Sequence, residues 1–510
     1  MHLTHFFDRG ASAFPDRACL VADGRTLTYR EVDASAWRVA RELAARGLMP
    51  GDAVAIVSPN SLEVVVAILG VLRAGCRWVA INSRNAHDEI LNLVELTQAR
   101  GFLYSTLLDL DVDELTVGLA DQLVLTVDGP AGLETWAATQ PGEPQVLEYS
   151  ENDVALLIGT GGTTGRSKAV QLTHRNLSTM VANYLWAMPP YDEPVNLVAA
   201  PITHGAGLMT WPQFAMGATT LVHAGVDPGN ILSDIEEHGV THMFLPPTAI
   251  YGLLSSEHLS RHDYRSMRYF LYGAAPMSVD KLRAALAVFG PVMVQTYGQV
   301  ECPVTLTFLL PQDHMRALDG RPELLLSCGR PPLLTDLAVV DQAGVPLPPG
   351  ATGELATRGD LVTPGYLGDD AATNAAWLNG WHLTGDVGRC DVNGYFFISD
   401  RKKDMIISGG FNLYPSEIEQ VIWGIEGVQD CAVIGIPDEK WGEACTAVIE
   451  LCDGATVTED EIRTICRASL GPMKTPKNFV FIPRLPRSPV GKVLKRELRL
   501  PYWSNQSRMV

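Results

Sequence analysis

The stretch Ile158-Gly-Thr-Gly-Gly-Thr-Thr-Gly-Arg-Ser-Lys168 has the composition of a phosphate-binding loop, yet it matches neither common phosphate motif. A Walker A loop, G-x-x-x-x-G-K-[ST], places lysine directly after the last glycine, whereas two residues separate Gly165 from Lys168. A dinucleotide fingerprint, G-x-G-x-x-G, begun at Gly159 would need glycine where Thr164 stands. The stretch is therefore either another class of anion-binding loop or a flexible glycine-rich turn.

The residue types in this loop favour the anion-binding interpretation. Glycines allow backbone N–H groups to turn inward toward an anion, threonine hydroxyls add donors, and a lysine adds a positive charge. The pattern predicts a clamp for the β- and γ-phosphates of a nucleotide. Its predicted members are Thr160, Gly161, Gly162, Thr163, Thr164, Gly165 and Lys168.

Length and charge limit the function classes. The chain has 510 residues, too many for one ordinary core, so two or more domains are expected. Its 39 basic and 58 acidic residues give a formal net charge of -19, which argues against nucleic-acid binding. An anionic ligand must then be bound by a local arrangement of donors, against the overall field of the protein.

Cysteine usage and apolar runs indicate the compartment. The nine cysteines are scattered, without a C-x-x-C pair or zinc-ligand spacing, as expected for buried free thiols in a reducing compartment. Residues 1–8 lack the start of a signal peptide. The apolar run at residues 64–72 is far shorter than the roughly 20 residues of a membrane span. The sequence predicts a cytoplasmic protein without a membrane span.

Hydrophobic periodicity predicts an α/β fold. Val32, Ala36, Val39 and Leu43 recur at helical spacing, and the apolar run at residues 52–57 is typical of a buried strand. Repetition of this alternation favours a layered α/β architecture with parallel strand pairing.

The pattern of apolar runs changes in the later part of the chain. Short strand-like runs between proline and glycine turns predict a β-rich subdomain at about residues 328–400. The expected organisation is a large N-terminal domain over residues 1–400, followed by a small, mobile α+β domain over residues 401–510.

Further motifs follow the loop in order. They are Tyr297-Gly-Gln-Val-Glu301, Gly380-Trp-His-Leu-Thr-Gly-Asp386, Asp400-Arg-Lys-Lys-Asp-Met-Ile-Ile-Ser-Gly-Gly410 with Pro415-Ser-Glu-Ile-Glu419, and Arg487-Ser-Pro-Val-Gly-Lys492. With the loop, they resemble the motifs of the adenylate-forming superfamily, which comprises acyl-CoA synthetases, peptide-synthetase adenylation domains and luciferases. One such motif would be weak evidence, but several in register over nearly the whole chain are specific.

The resemblance implies roles for the residues of the second motif. Tyr297 is expected to lie against the adenine ring, where an aromatic face packs well; the alternative is a core tyrosine. Gly298 and Gln299 belong to the same nucleotide-binding segment. Glu301 is expected to bind Mg²⁺, which prefers carboxylate and phosphate oxygens.

The resemblance also assigns the ribose contacts and the catalytic lysine. Asp386 is expected to accept hydrogen bonds from both ribose hydroxyls, and Arg401 to reach the same ribose. The alternative for Arg401 is a solvated charge run, which is also the interpretation of Lys402. Lys492 is expected to stabilise the charge that develops when a carboxylate attacks the α-phosphate. The alternative for Lys492 is one basic residue among several near the C-terminus.

Two half-reactions follow from the resemblance. A carboxylate and MgATP give an acyl-adenylate and pyrophosphate, and a thiol then displaces AMP. The expected cofactors are therefore ATP, Mg²⁺ and coenzyme A. The small domain is expected to rotate between the steps about Lys403, which withdraws Lys492 and brings Gly409 and Gly410 beside the thiol channel.

Some positions depart from the family pattern. Gly161 replaces a frequent serine, Ser167 and Ala169 replace proline and glycine, and Val300 replaces a threonine expected at the α-phosphate. Loss of one hydrogen bond to a charged group costs about 1.5–3 kcal/mol, unless Gln299 or a loop hydroxyl takes its place. An active enzyme is predicted, since all the charged positions remain.

The acid pocket is predicted from two segments. His204 in Pro201-Ile-Thr-His-Gly-Ala-Gly207 stands without the aspartate that would meet an amino-acid amine, and a core or loop histidine is its alternative. Gly273, Ala274 and Ala275 are small and leave room for a bulky apolar acid. Aromatic, cyclic, steroid-like and medium-to-long acyl acids are therefore expected.

Other functions share these motifs. A ligase that loads a carrier protein, a luciferase-like oxidative enzyme and a catalytically dead binding protein would all show the same pattern. The sequence leaves the oligomeric state open, with a homodimer as the candidate assembly. Lys474 and Lys477 are candidates for the CoA nucleotide site by charge alone.

Overall fold

The computed structural model describes residues 1–117, 122–146, 148–160, 168–190, 192–488 and 491–503. Within these residues the chain forms four β-sheets. Two large sheets and the helices around them form most of the N-terminal domain, a third sheet forms its β-rich part, and the fourth belongs to the smaller C-terminal domain. The predicted mixed α/β class, with a large first domain and a small second one, is confirmed.

The N-terminal part, up to residue 160, supplies strands to both large sheets. Its strands are β1 (Ala18–Ala22), β2 (Arg25–Thr28), β3 (Ala53–Ser58), β4 (Arg77–Asn82), β5 (Gly101–Tyr104), β6 (Leu123–Thr126) and β7 (Val154–Thr160). Its helices are α1 (Thr4–Ala13), α2 (Tyr29–Ala45), α3 (Leu62–Arg73), α4 (His87–Thr97), α5 (Val112–Thr116) and α6 (Leu133–Trp136).

Residues 168–326 supply their first strand to the sheet that contains β7 and their other strands to the sheet that contains β1. The strands are β8 (Lys168–Thr173), β9 (Val195–Val198), β10 (Thr219–Val222), β11 (His242–Leu245), β12 (Tyr269–Gly273), β13 (Met293–Tyr297) and β14 (Thr307–Leu309). The helices are α7 (His174–Ala187), α8 (Gly205–Leu208), α9 (Thr210–Ala215), α10 (Pro228–Glu237), α11 (Pro247–Leu254), α12 (Val279–Phe289) and α13 (Pro311–Leu318), with 3₁₀ turns at Leu259–Arg261 and Pro322–Leu326.

The remaining elements form the β-rich part and the small domain. The β-rich part contains β15 (Asp336–Val340), β16 (Thr352–Arg358), α14 (Asp370–Ala375), β18 (Trp377–Leu378), β19 (Trp381–Cys390) and β20 (Phe396–Arg401), while β17 (Gly365–Tyr366) of the same segment pairs with β8. The small domain contains β21 (Ile406–Ser408), β22 (Phe411–Leu413), α15 (Pro415–Trp423), β23 (Val428–Asp438), β24 (Gly442–Leu451), α16 (Glu459–Lys474), β25 (Asn478–Phe481) and α17 (Lys495–Trp503).

The strand orders explain where a ligand can bind. The first sheet runs β14-β13-β12-β11-β9-β10-β1-β2, with parallel pairing from β13 to β1. The second runs β17-β8-β7-β4-β3-β5-β6, with parallel pairing from β7 to β6. In open parallel sheets, ligands bind beyond the carboxyl ends of the strands. Gly273 and Tyr297 stand at two such ends, on β12 and β13.

The core of the large domain joins the two sheets. Helix α2 begins with a capping box between Thr28 and Glu31, and helix α3 begins after Ser61, whose hydroxyl accepts from the N–H of Val64. Apart from Glu63, α3 is buried along its length, within a cluster that includes residues of both sheets. The apolar run at residues 64–72 is therefore a core helix. Among the described helices, none combines the length and hydropathy needed to cross a bilayer.

Candidate active site

The stem of the glycine-rich loop is a β-hairpin. Strands β7 and β8 pair in antiparallel fashion, with Thr160 directly opposite Lys168. The Lys168 ammonium nitrogen lies 3.9 Å from a carboxylate oxygen of Asp369 and 5.0 Å from the ring centre of Tyr366. The predicted phosphate-binding residues Gly161, Gly162, Thr163, Thr164 and Gly165, and the departure at Ser167, lie outside the described residues.

Close backbone approach shapes the site at the ends of β12 and β13. A Cβ atom at Gly273 would stand 2.3 Å from the carbonyl oxygen of Thr296, and one at Gly298 would stand 2.5 Å from the backbone nitrogen of Val304. Both positions therefore exclude a side chain. Ala274 follows Gly273 with a φ of 68°, in the left-handed region, so the chain turns sharply here.

Asp386 is the centre of a hydrogen-bond network. It accepts from the Tyr297 hydroxyl at 2.5 Å and from the Gln299 side-chain amide at 2.8 Å. The same amide nitrogen donates to the carbonyl oxygen of Thr384 at 2.7 Å. The side-chain amide of Gln299 therefore binds Asp386 and Thr384. Val300 packs against the hydrophobic core of the large domain.

Arg401 completes this network across a strand pair. Asp386 on β19 lies directly opposite Arg401 on β20, and the guanidinium Nε is 2.7 Å from a carboxylate oxygen of Asp386. The side chain of Asp386 is 4% exposed. Burial raises the pKa of this carboxyl, and the charge of Arg401 and the hydrogen bonds from Tyr297 and Gln299 oppose the rise.

Glu301 lies between the loop stem and the Asp386 network. One of its carboxylate oxygens accepts a hydrogen bond from the Tyr366 hydroxyl at 2.8 Å, and its carbonyl oxygen accepts from the N–H of Thr363. Tyr366 therefore contacts Glu301 while its ring faces Lys168. Sequence reasoning does not identify Tyr366, because the fold alone brings β17 beside β8.

Backbone hydrogen bonds hold Lys492 beside Ser488 in the small domain. The N–H of Gly491 donates to the carbonyl oxygen of Ser488, and the N–H of Ser488 donates to that of Lys492. Gly491 has a φ of 85°, which favours glycine, and a Cβ there would stand 3.1 Å from the Thr248 hydroxyl of the large domain. Gly491 thus lies next to the large domain.

The charges of Arg401, Asp386 and Glu301 act on the Lys492 ammonium group. Its pKa is lowered, first by desolvation and then by Arg401, while Asp386 and Glu301 oppose the change. The residue as a whole is exposed to solvent.

The predicted hinge lies in the link between the domains. Strand β20 ends at Arg401 and β21 begins at Ile406. The N–H of Lys402 donates to the carbonyl oxygen of Gly385, and its ammonium nitrogen lies 2.8 Å from Glu354. Lys403 follows in the same turn, and burial lowers its pKa.

Gly409 and Gly410 form the turn of an exposed hairpin in the small domain. They connect β21 to β22 with φ values of 59° and 83°. A Cβ at Gly409 would stand 2.8 Å from the indole ring of Trp441. Gly409 therefore packs on Trp441 within the small domain, whereas a Cβ at Gly410 would meet open space.

His204 is the histidine predicted to line the acid pocket. It precedes α8, is half-buried, and its Nδ1 lies 3.0 Å from the Thr203 hydroxyl. Burial, and then the charge of Lys492, lower the pKa of His204 to about 4, so the imidazole is neutral at neutral pH. Ala275 follows Ala274 beyond the end of β12, so the small residues predicted for the acid pocket lie at one sheet edge.

The chain matches known proteins over nearly its full length. Residues 7–367 match the family described as AMP-binding enzyme, and residues 417–492 match the AMP-binding enzyme C-terminal domain. The chain belongs to the AMP-binding enzyme family. The predicted superfamily is confirmed, and so is the class of AMP-forming acid–thiol ligase.

Individual relatives resemble the chain in sequence and in structure. A feruloyl-CoA synthase from an Amycolatopsis species is 36% identical over 493 residues, which cover 96% of this chain and 97% of that protein. A long-chain-fatty-acid–CoA ligase of Mycobacterium tuberculosis is 33% identical over 488 residues, which cover 93% of each. The ATP-bound structure of MatB from Rhodopseudomonas palustris superposes with a TM-score of 0.88 at 30% identity, over 98% of this chain and 99% of that one.

Proposed function

We propose that this protein is an ATP-dependent acyl-CoA synthetase. It converts a carboxylic acid and ATP to an acyl-adenylate and pyrophosphate, and then transfers the acyl group to CoA with release of AMP. The observation that carries the proposal is the ion pair of Asp386 with Arg401, 2.7 Å apart, whose charges, with that of Glu301, act on Lys492 of the small domain. Two cations and two carboxylates in one cleft suit a ligand that has both a ribose and phosphates.

In the first half-reaction, the protein holds the nucleotide and stabilises developing charge. Asp386, fixed by Arg401, accepts from the ribose hydroxyls, and Tyr297 lies beside the adenine. A carboxylate oxygen of the acid bonds to the α-phosphorus as the bond to pyrophosphate breaks. Lys492 stabilises the negative charge that accumulates between these anions, which accelerates the step because the contact strengthens in the transition state.

The proposed metal ligand is Glu301. Magnesium in nucleotide sites is held by one or two carboxylates together with phosphate oxygens, so a single carboxylate beside the loop stem fits. One oxygen of Glu301 accepts from Tyr366, which orients the carboxylate toward the cleft. When bound, the ion would neutralise phosphate charge. Thr160, Lys168 and the loop between them would hold the β- and γ-phosphates.

The second half-reaction requires a different domain arrangement. Since Gly409 and Gly410 lie in an exposed hairpin, a rotation of the small domain about Lys403 is needed to bring them to a thiol channel. The same rotation would withdraw Lys492, whose work ends with adenylation. A thiol then attacks the acyl carbon, and AMP leaves.

The proposed substrates are bulky acids: aromatic, cyclic, steroid-like or medium-to-long acyl. The small residues Gly273, Ala274 and Ala275 and the neutral imidazole of His204 support a pocket for an apolar body behind the carboxylate. The relatives that act on ferulate and on long-chain fatty acids fall in the same range.

The proposal is tested by AMP and pyrophosphate release with MgATP, with and without CoA. The panel contains benzoates, cinnamates, cyclic and steroid acids, and fatty acids of increasing length. We expect one acid class to give CoA-dependent AMP together with its CoA thioester. Release of pyrophosphate without a CoA thioester would mean that the acyl acceptor is a molecule other than CoA, such as a carrier protein. No turnover of any acid, with ATP still bound, would overturn the proposal.

A further inference from the structure

A small cavity adjoins the acid pocket, between β9, β11, β12, α7 and α8. Ala206 and Met209, which line it, come shortly after His204 in the chain, and Leu271 lies on β12 just before Gly273. The ring of Phe244, also in the lining, is 3.9 Å from the position of a Cβ at Gly205. The cavity thus borders the same segments as the proposed acid pocket.

Polar side chains line this cavity although it is deep in the domain. Tyr184, Asn196 and His242 are 2%, 6% and 0% exposed. The Tyr184 hydroxyl accepts from the side-chain amide of Gln213 at 2.7 Å, and His242 Nδ1 lies 2.9 Å from the Thr241 hydroxyl. Burial lowers the pKa of His242 to about 3, so it is neutral at neutral pH. A pocket for a purely hydrocarbon tail does not need such a lining.

Asn196 is the decisive residue of this lining. Its side-chain Nδ2 is buried and has no acceptor among the residues that the structure describes. Leaving a buried amide donor without an acceptor is unfavourable, and native proteins rarely do so without a ligand or water to accept from it. An oxygen atom from a bound molecule would satisfy this donor.

The size of the cavity limits what that molecule can place there. Its volume is about 10 Å³, which is the space of about one water molecule. One oxygen substituent fits, whereas the tail of a long-chain acid would have to displace the surrounding side chains. Both the volume and the polar lining of the cavity therefore favour a single oxygen substituent.

We propose that this cavity binds a single acceptor oxygen at the far end of the acid, and that Asn196 determines this specificity. The substrate class is then an aromatic or cyclic carboxylic acid with a distal hydroxyl group. Asn196 Nδ2 donates to that oxygen, with Tyr184 and His242 beside it. The inference rests on the proposed acyl-CoA synthetase function and narrows its substrate.

The test compares matched acids that differ only at the far end. For both benzoate and cinnamate, the 4-hydroxy acid is compared with the 4-methyl acid by kcat/KM for AMP release. We expect the oxygenated acid to be preferred at least about tenfold at one of the two lengths, because a site that hydrogen-bonds its substrate discriminates against analogues without the partner. In Asn196→Leu the preference is expected to fall to about twofold or less. The ratio is the readout, since a folding defect lowers both rates alike.

A matched control is available in the neighbouring strand. Thr220 on β10 lies opposite Asn196 in the sheet register and has a buried hydroxyl with no partner among the described residues, but it does not line the cavity. Thr220→Val removes a comparable buried polar group and should keep the preference. If Thr220→Val abolishes it equally, Asn196 is not its specific source and the inference fails.

The other outcomes separate this inference from the proposed function. Acids that turn over without any preference for the distal oxygen would overturn the inference and leave the function standing. A preference that persists in Asn196→Leu would mean that the cavity holds only a structural water. If no acid turns over, the proposed function fails, and calorimetry with the 4-hydroxy and 4-methyl acids decides the binding question: equal affinities would overturn the inference.

Discussion

The nucleotide side and the acid side of the cleft are built from different kinds of residue. On the proposed nucleotide side, Asp386 and Arg401 form an ion pair 2.7 Å apart, and both charges act on Lys492. On the acid side, His204 and Asn196 are neutral, and each belongs to a different segment. A polyanion is held by fixed charges, which few other residues can replace. An organic acid is selected by shape and by neutral donors, which many residue combinations can provide.

The largest expected effect is at the centre of the nucleotide side. Lys492→Ala should slow adenylation by about 10²–10³-fold or more, as expected when a group that stabilises transition-state charge is removed. Thioester formation from a supplied acyl-adenylate should change far less, since Lys492 acts only in the first half-reaction. Pyrophosphate exchange and single-turnover thioester formation measure the two steps separately.

Lys402→Ala is the matched control for this prediction. Lys402 is also basic and lies beside Arg401, but its ammonium nitrogen contacts Glu354 on the surface. We expect both steps to stay within about threefold of the unmodified protein, because exposed ion pairs contribute little. Equal slowing of both half-reactions by Lys492→Ala would contradict a role confined to adenylation.

The next largest effect is expected for Asp386→Asn, which should change the KM for ATP but not the KM for the acid. Asp386→Asn keeps the size of the side chain but removes the charge that faces Arg401 and the proposed ribose. Loss of one or two hydrogen bonds to a charged group should raise the KM for ATP by about 10–100-fold. The KM for the acid should stay within about threefold. Initial rates at varied ATP and varied acid measure both, and a parallel rise would show that Asp386 supports the whole cleft.

The same contrast explains what the sequence could predict. Tyr297, Asp386, Arg401 and Lys492 stand in recognisable motifs. The structure joins Tyr297, Asp386 and Arg401 in one network from separate segments, and the charges of Asp386 and Arg401 act on Lys492. The alternation of apolar runs likewise predicted the layered α/β domain, since helix and strand periods are local properties.

The acid side could not be predicted in the same way. Tyr184, Asn196 and His242 lie on a helix and two strands, and only the strand order brings them to one cavity. The contact of Tyr366 with Glu301 could not be predicted either, because it depends on the pairing of β17 with β8. Such contacts depend on tertiary packing, which leaves no fixed spacing in the sequence.

The smallest expected effect concerns the neutral acid side and pH. His242 is buried with a pKa of about 3, against an ordinary value of 6.5. Between these values the unfolded chain takes up a proton that the folded protein does not. Stability should therefore be constant above about pH 7 and fall as the pH drops below 6.5. One such group contributes at most about 1.4 kcal/mol per pH unit.

This contribution can be isolated by substitution. His242→Asn should make the loss of stability between pH 6.5 and 5 shallower by up to one proton, measured from urea unfolding at each pH. His238→Asn, at an exposed histidine 4.0 Å from Asp234, is the matched control for the substitution itself. Identical slopes in all three proteins would mean that His242 is protonated in the folded state. The acid side would then carry a charge at mildly acidic pH, and the contrast with the nucleotide side would not hold.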